Sequence, residues 1–280
     1  MVPVLIINLE RDAARRDALT ARLDALNVPY RIHKAIAGKD LSPDDIARYS
    51  PKRELAFERE LMPNEIAAGL SHVAAVREGL SLGTEFFCIL EDDTIPAPRF
   101  AECLDETVLE ALPPFEALRL FAHFDRWEKP SKMIATLAGS VVVRMLRPGW
   151  GCAGQIYTRA GGQKIVSSMR FITAPIDFGM YHDCHVMGLK VLETRPPFIT
   201  HAPVASSVGN RELPVPPVWR HLWRAFRGSA ACRPLAQPAS AAGPAWQPRR
   251  ARAALPPRPG AGGGGTGRSF SCGAPPCERP

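Results

Sequence analysis

Along residues 1–210, short apolar runs alternate with stretches whose apolar positions recur at helical spacing, the rhythm of a layered α/β fold. Pro3–Asn8 is a first apolar strand, and Asp12–Leu26 follows with Leu19, Leu23 and Leu26 on one helical face. Tyr30–Ala35 predicts a second, shorter strand. Ser42-Pro43-Asp44-Asp45 carries a helix-start signature, with Ser as cap, Pro at the first helical position and an acid three residues on. Pro51 ends that helix. Asn64 is expected to cap a longer one, with Ile66, Leu70, Val73 and Leu80 as its stripe, and this helix leads into the apolar run Phe86–Leu90. Pro98 is expected to open a further helix. The middle is more β-like: Ala117–Phe121, Met133–Leu137 and Val141–Met145 are short strand candidates, with Gly139-Ser140 as a hairpin turn. Cys152–Tyr157 predicts a strand of small residues, Arg159–Met169 a helix and Lys190–Glu193 a last short strand, which Pro196-Pro197 brings to a halt.

From about Gly228 the rhythm stops. Ala, Pro, Gly and Arg dominate, and such a segment buries too little apolar surface to offset the entropy of ordering it. The reading is therefore one folded domain over 1–210, a candidate amphipathic segment over 211–227 and a disordered low-complexity tail over 228–280. Charge follows the same division. The net charge of +7 comes from the end of the chain: residues 1–210 hold 24 basic and 26 acidic side chains, and residues 211–280 hold 11 arginines against 2 acids. Two readings of the tail stay open. One is an extension without function. The other is a basic arm, with Trp219, Trp223 and Phe226 on a short helix, giving peripheral contact with an anionic membrane surface. Scarce aromatics and the lack of lysine in the tail argue against nucleic acid. No stretch approaches the ~18 apolar residues of a membrane span, and a cytoplasmic location is expected. The seven cysteines are odd in number and form no C-x-x-C pair, so reduced structural thiols are expected.

The chemistry concentrates at Glu91-Asp92-Asp93, directly after the buried run. In open α/β sheets the ligand crevice lies beyond the carboxyl ends of the strands. Three adjacent acids there repel one another unless a hard divalent cation takes them as oxygen ligands, usually together with substrate phosphates. Glu91 and Asp93 have the spacing of a D-x-D motif, and residues i and i+2 of an extended segment face one side. Asp93 is the strongest candidate ligand, with Glu91 or Asp92 reaching the metal directly or through water, and Mn2+ or Mg2+ is the expected ion. His201, in Ile199-Thr200-His201-Ala202-Pro203, is a candidate third ligand. Arg11, Arg15 and Arg16 follow the first strand at the crevice end, where guanidinium groups can pair with phosphate. Glu65 and His72 lie two helical turns apart and share a face; His72 is expected in the core, and Glu65 is grouped with Arg11, Arg15 and Asp92 as a cofactor-binding residue. Asp177, among apolar neighbours in Ala174-Pro175-Ile176-Asp177, suits a general base and equally suits a helix cap. His182, Asp183 and His185 form a denser cluster that lacks further ligands for zinc.

Taken in order, Asn8-Leu9-Glu10-Arg11 with Arg15-Arg16, then Asn64 to His72, Leu90-Glu91-Asp92-Asp93, Ala153 to Gly161 and Pro175-Ile176-Asp177 resemble glycosyltransferase family 25, the lipopolysaccharide β-galactosyltransferase-like proteins. The resemblance spans roughly residues 3–210. It implies a GT-A-like single domain with a mostly parallel central sheet, a UDP-sugar donor (often UDP-galactose), a divalent metal and inversion at the anomeric carbon. It also implies an oligosaccharide or glycolipid acceptor such as lipooligosaccharide. Residue by residue, Glu91, Asp92 and Asp93 would hold metal and diphosphate, Arg11 and Arg15 would lie at the nucleotide, and Asp177 would lie near the acceptor. Two competing readings are a metal-dependent phosphodiesterase or nucleotide hydrolase, which would want two metals and a denser His/Asp set, and an inactive binding remnant.

Overall fold

A computed structural model describes residues 1–52, 59–121, 131–145, 151–182 and 187–203. The chain divides into two compact units, Met1–Pro214 and Val215–Pro280, and every described residue belongs to the first. The candidate segments 211–227 and 228–280 lie outside the described residues, as do Asp183 and His185.

Strand β1 (Val4–Asn8) leads to helix α1 (Ala13–Ala25), strand β2 (Tyr30–Lys34), helix α2 (Pro43–Tyr49) and helix α3 (Pro63–Ser81). Strands β3 (Phe86–Glu91) and β4 (Thr94–Pro96) come next, followed by helix α4 (Glu106–Glu110) and strands β5 (Ala117–Arg119), β6 (Ser131–Leu137), β7 (Ser140–Met145) and β8 (Gly154–Thr158). Helix α5 (Arg159–Ser168) and strands β9 (Val191–Arg195) and β10 (Ile199–His201) complete the described elements. Eight strands form one sheet in the order β2-β1-β3-β8-β5-β9-β7-β6, and β10 pairs with β4 in a separate two-stranded sheet. Pairing directions orient six of the eight strands the same way, with β8 and β7 opposed. The sheet is thus mostly parallel by strand direction, as expected, with β8 as an antiparallel insertion at its centre.

The buried runs work as a strand buried on both faces must. Val4 and Ile6 of β1, with Cys88 and Leu90 of β3, join the core that holds Leu19 and Leu23 of α1. The alternate residues Leu5, Ile7, Phe87 and Ile89 join the core that holds Ile66, Val73 and Val76 of α3 and Ile165 of α5. One face of the sheet therefore carries α1 and the other carries α3 and α5. That period of two decides where the polar residues at the strand ends fall.

Several boundaries differ from expectation. Helix α3 starts at Pro63 with Met62 as its cap residue, because proline lacks an N–H and is preformed for the first helical position; Asn64 is already inside the helix. Ser42 does cap α2, in a reciprocal box with Asp45. Pro98 opens no α-helix. A 3-10 turn at Phe100–Leu104 precedes α4, whose cap is Asp105. The β6–β7 turn is Ala138-Gly139, both with positive φ (43° and 77°), one residue earlier than expected. Such paired left-handed residues match the right-handed twist of a hairpin. Pro196-Pro197 does not end regular structure, since β10 follows and pairs with β4.

Among the described residues no helix is long and apolar enough to cross a membrane. Cys88, Cys103 and Cys152 are buried free thiols, and burial raises the pKa of Cys88 and Cys103.

Candidate active site

Strands β1 and β3 lie side by side in parallel register, with Ile7 opposite Glu91. Asn8 and the acidic triplet therefore leave the sheet together. By alternation Glu91 falls on the α3 face, as Phe87 and Ile89 do, while Asn8 falls on the α1 face, as Val4 and Ile6 do. The contacts follow. Asn8 Nδ2 donates to Asp92 Oδ2 at 2.7 Å and to the Asp12 carbonyl at 3.2 Å. Arg15 of α1 reaches Asp92 Oδ1 at 3.4 Å. Glu91 Oε1 lies 3.0 Å from His72 Nε2 of α3.

Asp93 is held differently. The chain turns into β4, and the β4–β10 pair sets Thr94 opposite His201. The Ala202 N–H donates to the Asp93 carbonyl at 2.7 Å. His201 Nδ1 then lies 3.3 Å from Asp93 Oδ1. The contact lacks hydrogen-bond direction, which leaves Asp93 Oδ1 buried without a hydrogen-bond partner among the described residues. Phe121 stands edge-on to the His201 ring at 4.5 Å. Polar contact with Asp93 raises the His201 pKa; burial opposes this, and the charges of Asp93 and Glu91 add to it. Burial also raises the pKa of Asp92, against the Asn8 hydrogen bond and the Arg15 charge, with Asp93 adding to the rise.

The triplet floors a cleft of about 660 Å³, counted with its open mouth. Ile7, Leu9, Ala35 and Ile36 give it an apolar wall, and Asn64, Ser71, His72 and Arg15 give it a polar one. Ser71 anchors that wall by accepting the Ile36 N–H at 2.8 Å and donating to the Ala67 carbonyl at 2.7 Å.

Of the expected ligands, the structure brings Asp93 and His201 together and turns Glu91 toward His72. Among the described residues no three His, Cys, Asp or Glu side chains form a group that could hold a metal ion by themselves. Arg15 and Asp92 line the cleft. Arg11 is exposed, does not line it, and has an ion contact with Asp12 at 3.9 Å.

Glu65, expected at the cofactor, has its contacts at the start of α3. It is buried and does not line the cleft. Its two oxygens accept from Arg59 at 2.7 and 2.8 Å, and one also accepts the Met62 N–H at 2.9 Å. This is the reach of a residue at the third helical position back to its cap, and it commits the carboxylate to starting α3.

Asp177 is buried ahead of the π-helical turn Phe178–His182, accepting the Phe178 N–H at 3.0 Å and the Gly151 N–H at 3.2 Å. Gly151 and Cys152 precede β8, whose entry residue Ala153 accepts the Glu91 N–H at 2.8 Å. Asp177 is thus tethered to the same end of the sheet as the triplet, one strand across.

Two site residues escaped the sequence reading. Asn8 enters the sequence reading only as part of a motif, because the parallel β1–β3 register alone brings it beside the triplet. His72, expected in the core because a lone helical histidine is more often a satisfied core residue, is buried and also meets Glu91 at 3.0 Å.

A carboxylate triplet with contacts to β1, α1, α3 and β10, at the carboxyl end of a mostly parallel sheet and lining a half-apolar cleft, marks the place where open α/β sheets bind their ligands. Residues 1–180 match glycosyltransferase family 25 (LPS biosynthesis protein). The chain belongs to that family and is a glycosyltransferase. No curated protein matches it. Among the solved structures that resemble it distantly are two examples. One is mannose-1-phosphate geranyltransferase from Thermus thermophilus, at 16% identity and a TM-score of 0.37, with 80% of this chain and 78% of that one covered. The other is a mutant of Drosophila β1,4-galactosyltransferase 7 in complex with manganese, UDP-Gal and xylobiose, at 10% identity and a TM-score of 0.34, with 71% and 69% covered.

Proposed function

We propose that this glycosyltransferase is metal-dependent and inverting, and that it moves a hexose, with galactose the leading candidate, from a UDP-sugar to a glycan acceptor such as lipooligosaccharide. The observation that carries the metal is the Asp93–His201 pair. A buried carboxylate oxygen without a hydrogen-bond partner is costly, and among the described residues Asp93 Oδ1 is such an oxygen, with the His201 ring nitrogen 3.3 Å away. Two donor atoms in adjacent octahedral positions around Mg2+ at about 2.1 Å would lie about 3 Å apart. The residues therefore fit a Mn2+ or Mg2+ ion held by two protein ligands. A carboxylate with substrate phosphates and water completing the sphere is the habit of such ions, and His201 adds a nitrogen donor beside it.

When bound, the cation supplies charge neutralisation to the departing diphosphate. Asp93 and His201 would hold it, and Arg15 adds a positive group on the α1 side of Asp92. Leu9, Ala35 and Ile36 offer the nucleoside an apolar wall. Asp177 is the candidate base: it takes the proton of the acceptor hydroxyl as that oxygen bonds to the anomeric carbon and the bond to diphosphate breaks on the opposite face. The support for Asp177 is its burial, its tether to Gly151 and its sequence element; the same hydrogen bonds also serve as a cap.

Incubation with UDP-galactose, UDP-glucose and UDP-N-acetylglucosamine, each with Mn2+ and a lipooligosaccharide acceptor, tests the reading. Acceptor-dependent UDP release that EDTA abolishes is expected, fastest with UDP-galactose. Equal release with and without acceptor would favour a hydrolase.

A further inference from the structure

His72 is unusual for its place. It sits on the face of α3 that packs on the sheet, is 3% exposed, and its Nδ1 is buried without a hydrogen-bond partner among the described residues. Leucine would fill a core position without leaving a polar atom unpaired, which is expensive. The compensation lies at the other ring nitrogen, 3.0 Å from Glu91 Oε1. Small residues at Ala67, Gly69, Ser71 and Ala75 line the same part of α3, and a Cβ at Gly69 would press on Ile172 at 2.8 Å. Glu91 is the one member of the triplet inside β3, and its parity turns it to this face.

We propose that His72 is a positioning residue, whose Nε2 fixes the Glu91 carboxylate at the cleft wall so that the cation–diphosphate pair meets a negative charge already in place. Without it, a half-exposed glutamate at a strand end has several rotamers, and the freedom lost on binding lowers affinity. The inference rests on the metal-dependent reading above. Outer partners that orient metal-site groups typically change affinity by roughly 10- to 100-fold when removed.

The test is a double-mutant cycle on the full chain, with His72→Leu, His72→Gln, Glu91→Gln and His72→Leu/Glu91→Gln. Mn2+ affinity in the presence of UDP is read by calorimetry, alongside KM and kcat for UDP-galactose. His72→Leu is expected to weaken Mn2+·UDP binding by about tenfold or more, with most of the effect in KM for the donor. His72→Gln keeps a donor on a longer side chain and is expected to recover most of the loss. Adding His72→Leu to Glu91→Gln is expected to cost less than about twofold more, because the contact is already gone. The inference is overturned if the two losses multiply, or if a folded His72→Leu variant binds Mn2+·UDP as the wild type does. A wild type that binds no Mn2+·UDP would instead overturn the metal-dependent reading itself, which separates the two failures.

Discussion

Replacing Glu65 with alanine separates a structural carboxylate from a binding one. The change deletes the acceptor of the Met62 N–H and both contacts to Arg59. Loss of a helix-start hydrogen bond costs about 0.5–2 kcal/mol. Hydrogen bonds to a charged group are worth about 1.5–3 kcal/mol, discounted here because the Arg59 side chain is 29% exposed and screened by water. The sum is about 2–4 kcal/mol. For a domain of this size each kcal/mol moves the midpoint by about 2–4 °C, so Tm should fall by on the order of 10 °C. Circular dichroism melts of the two proteins measure this directly. Donor binding is read separately, as KM for UDP-galactose well below either Tm, and should stay within about twofold, since Glu65 does not line the cleft. A Tm within a degree or two of wild type, together with a tenfold rise in KM, would refute the reasoning and return Glu65 to the nucleotide.

Three further outcomes are expected. Asn8→Ala leaves the buried Asp92 carboxylate with a single 3.4 Å contact to Arg15 in place of a 2.7 Å hydrogen bond; it should cost about 1.5–3 kcal/mol in urea unfolding and raise the Asp92 pKa further, as a carbon-13 carboxyl titration would show. Asp177→Asn should slow transfer by about two to four orders of magnitude with donor affinity unchanged in calorimetry; loss of donor binding instead would move Asp177 to the donor side. A chain ending at Arg227 should keep the wild-type melting transition and its activity on a soluble acceptor, because the composition beyond it cannot support a core; an unfolded product would show the boundary to be wrong.

Much of the layered fold was legible because β1 and β3 are buried on both faces and therefore written as unbroken apolar runs. The acidic triplet was legible for the same reason: three charges ending such a run have no packing role. What escaped reading depends on contacts distant in sequence. β4 and β10 are three residues each, too short for periodicity, and only their pairing brings His201 to Asp93. Glu65 and His72 share a helical face, which made them look alike. Only tertiary contact separates them, giving Glu65 to Arg59 at the helix start and His72 to Glu91. The parity of β3 did contain that second contact, since alternation from Phe87 and Ile89 assigns Glu91 to the α3 side. Missing Asn8 has a similar cause, because its role depends on the parallel register that sets Ile7 opposite Glu91.

The central claim is that Asp93 and His201 together hold a divalent cation beside the diphosphate of a nucleotide sugar. The most direct measurement is calorimetric titration of UDP into wild-type protein and Asp93→Asn, each with and without Mn2+. The account predicts that Mn2+ tightens UDP binding to the wild type by at least about tenfold, and that Asp93→Asn, folded by circular dichroism, loses this gain while keeping the weak metal-free affinity. An Asp93→Asn protein that retains the full Mn2+-dependent gain would contradict it.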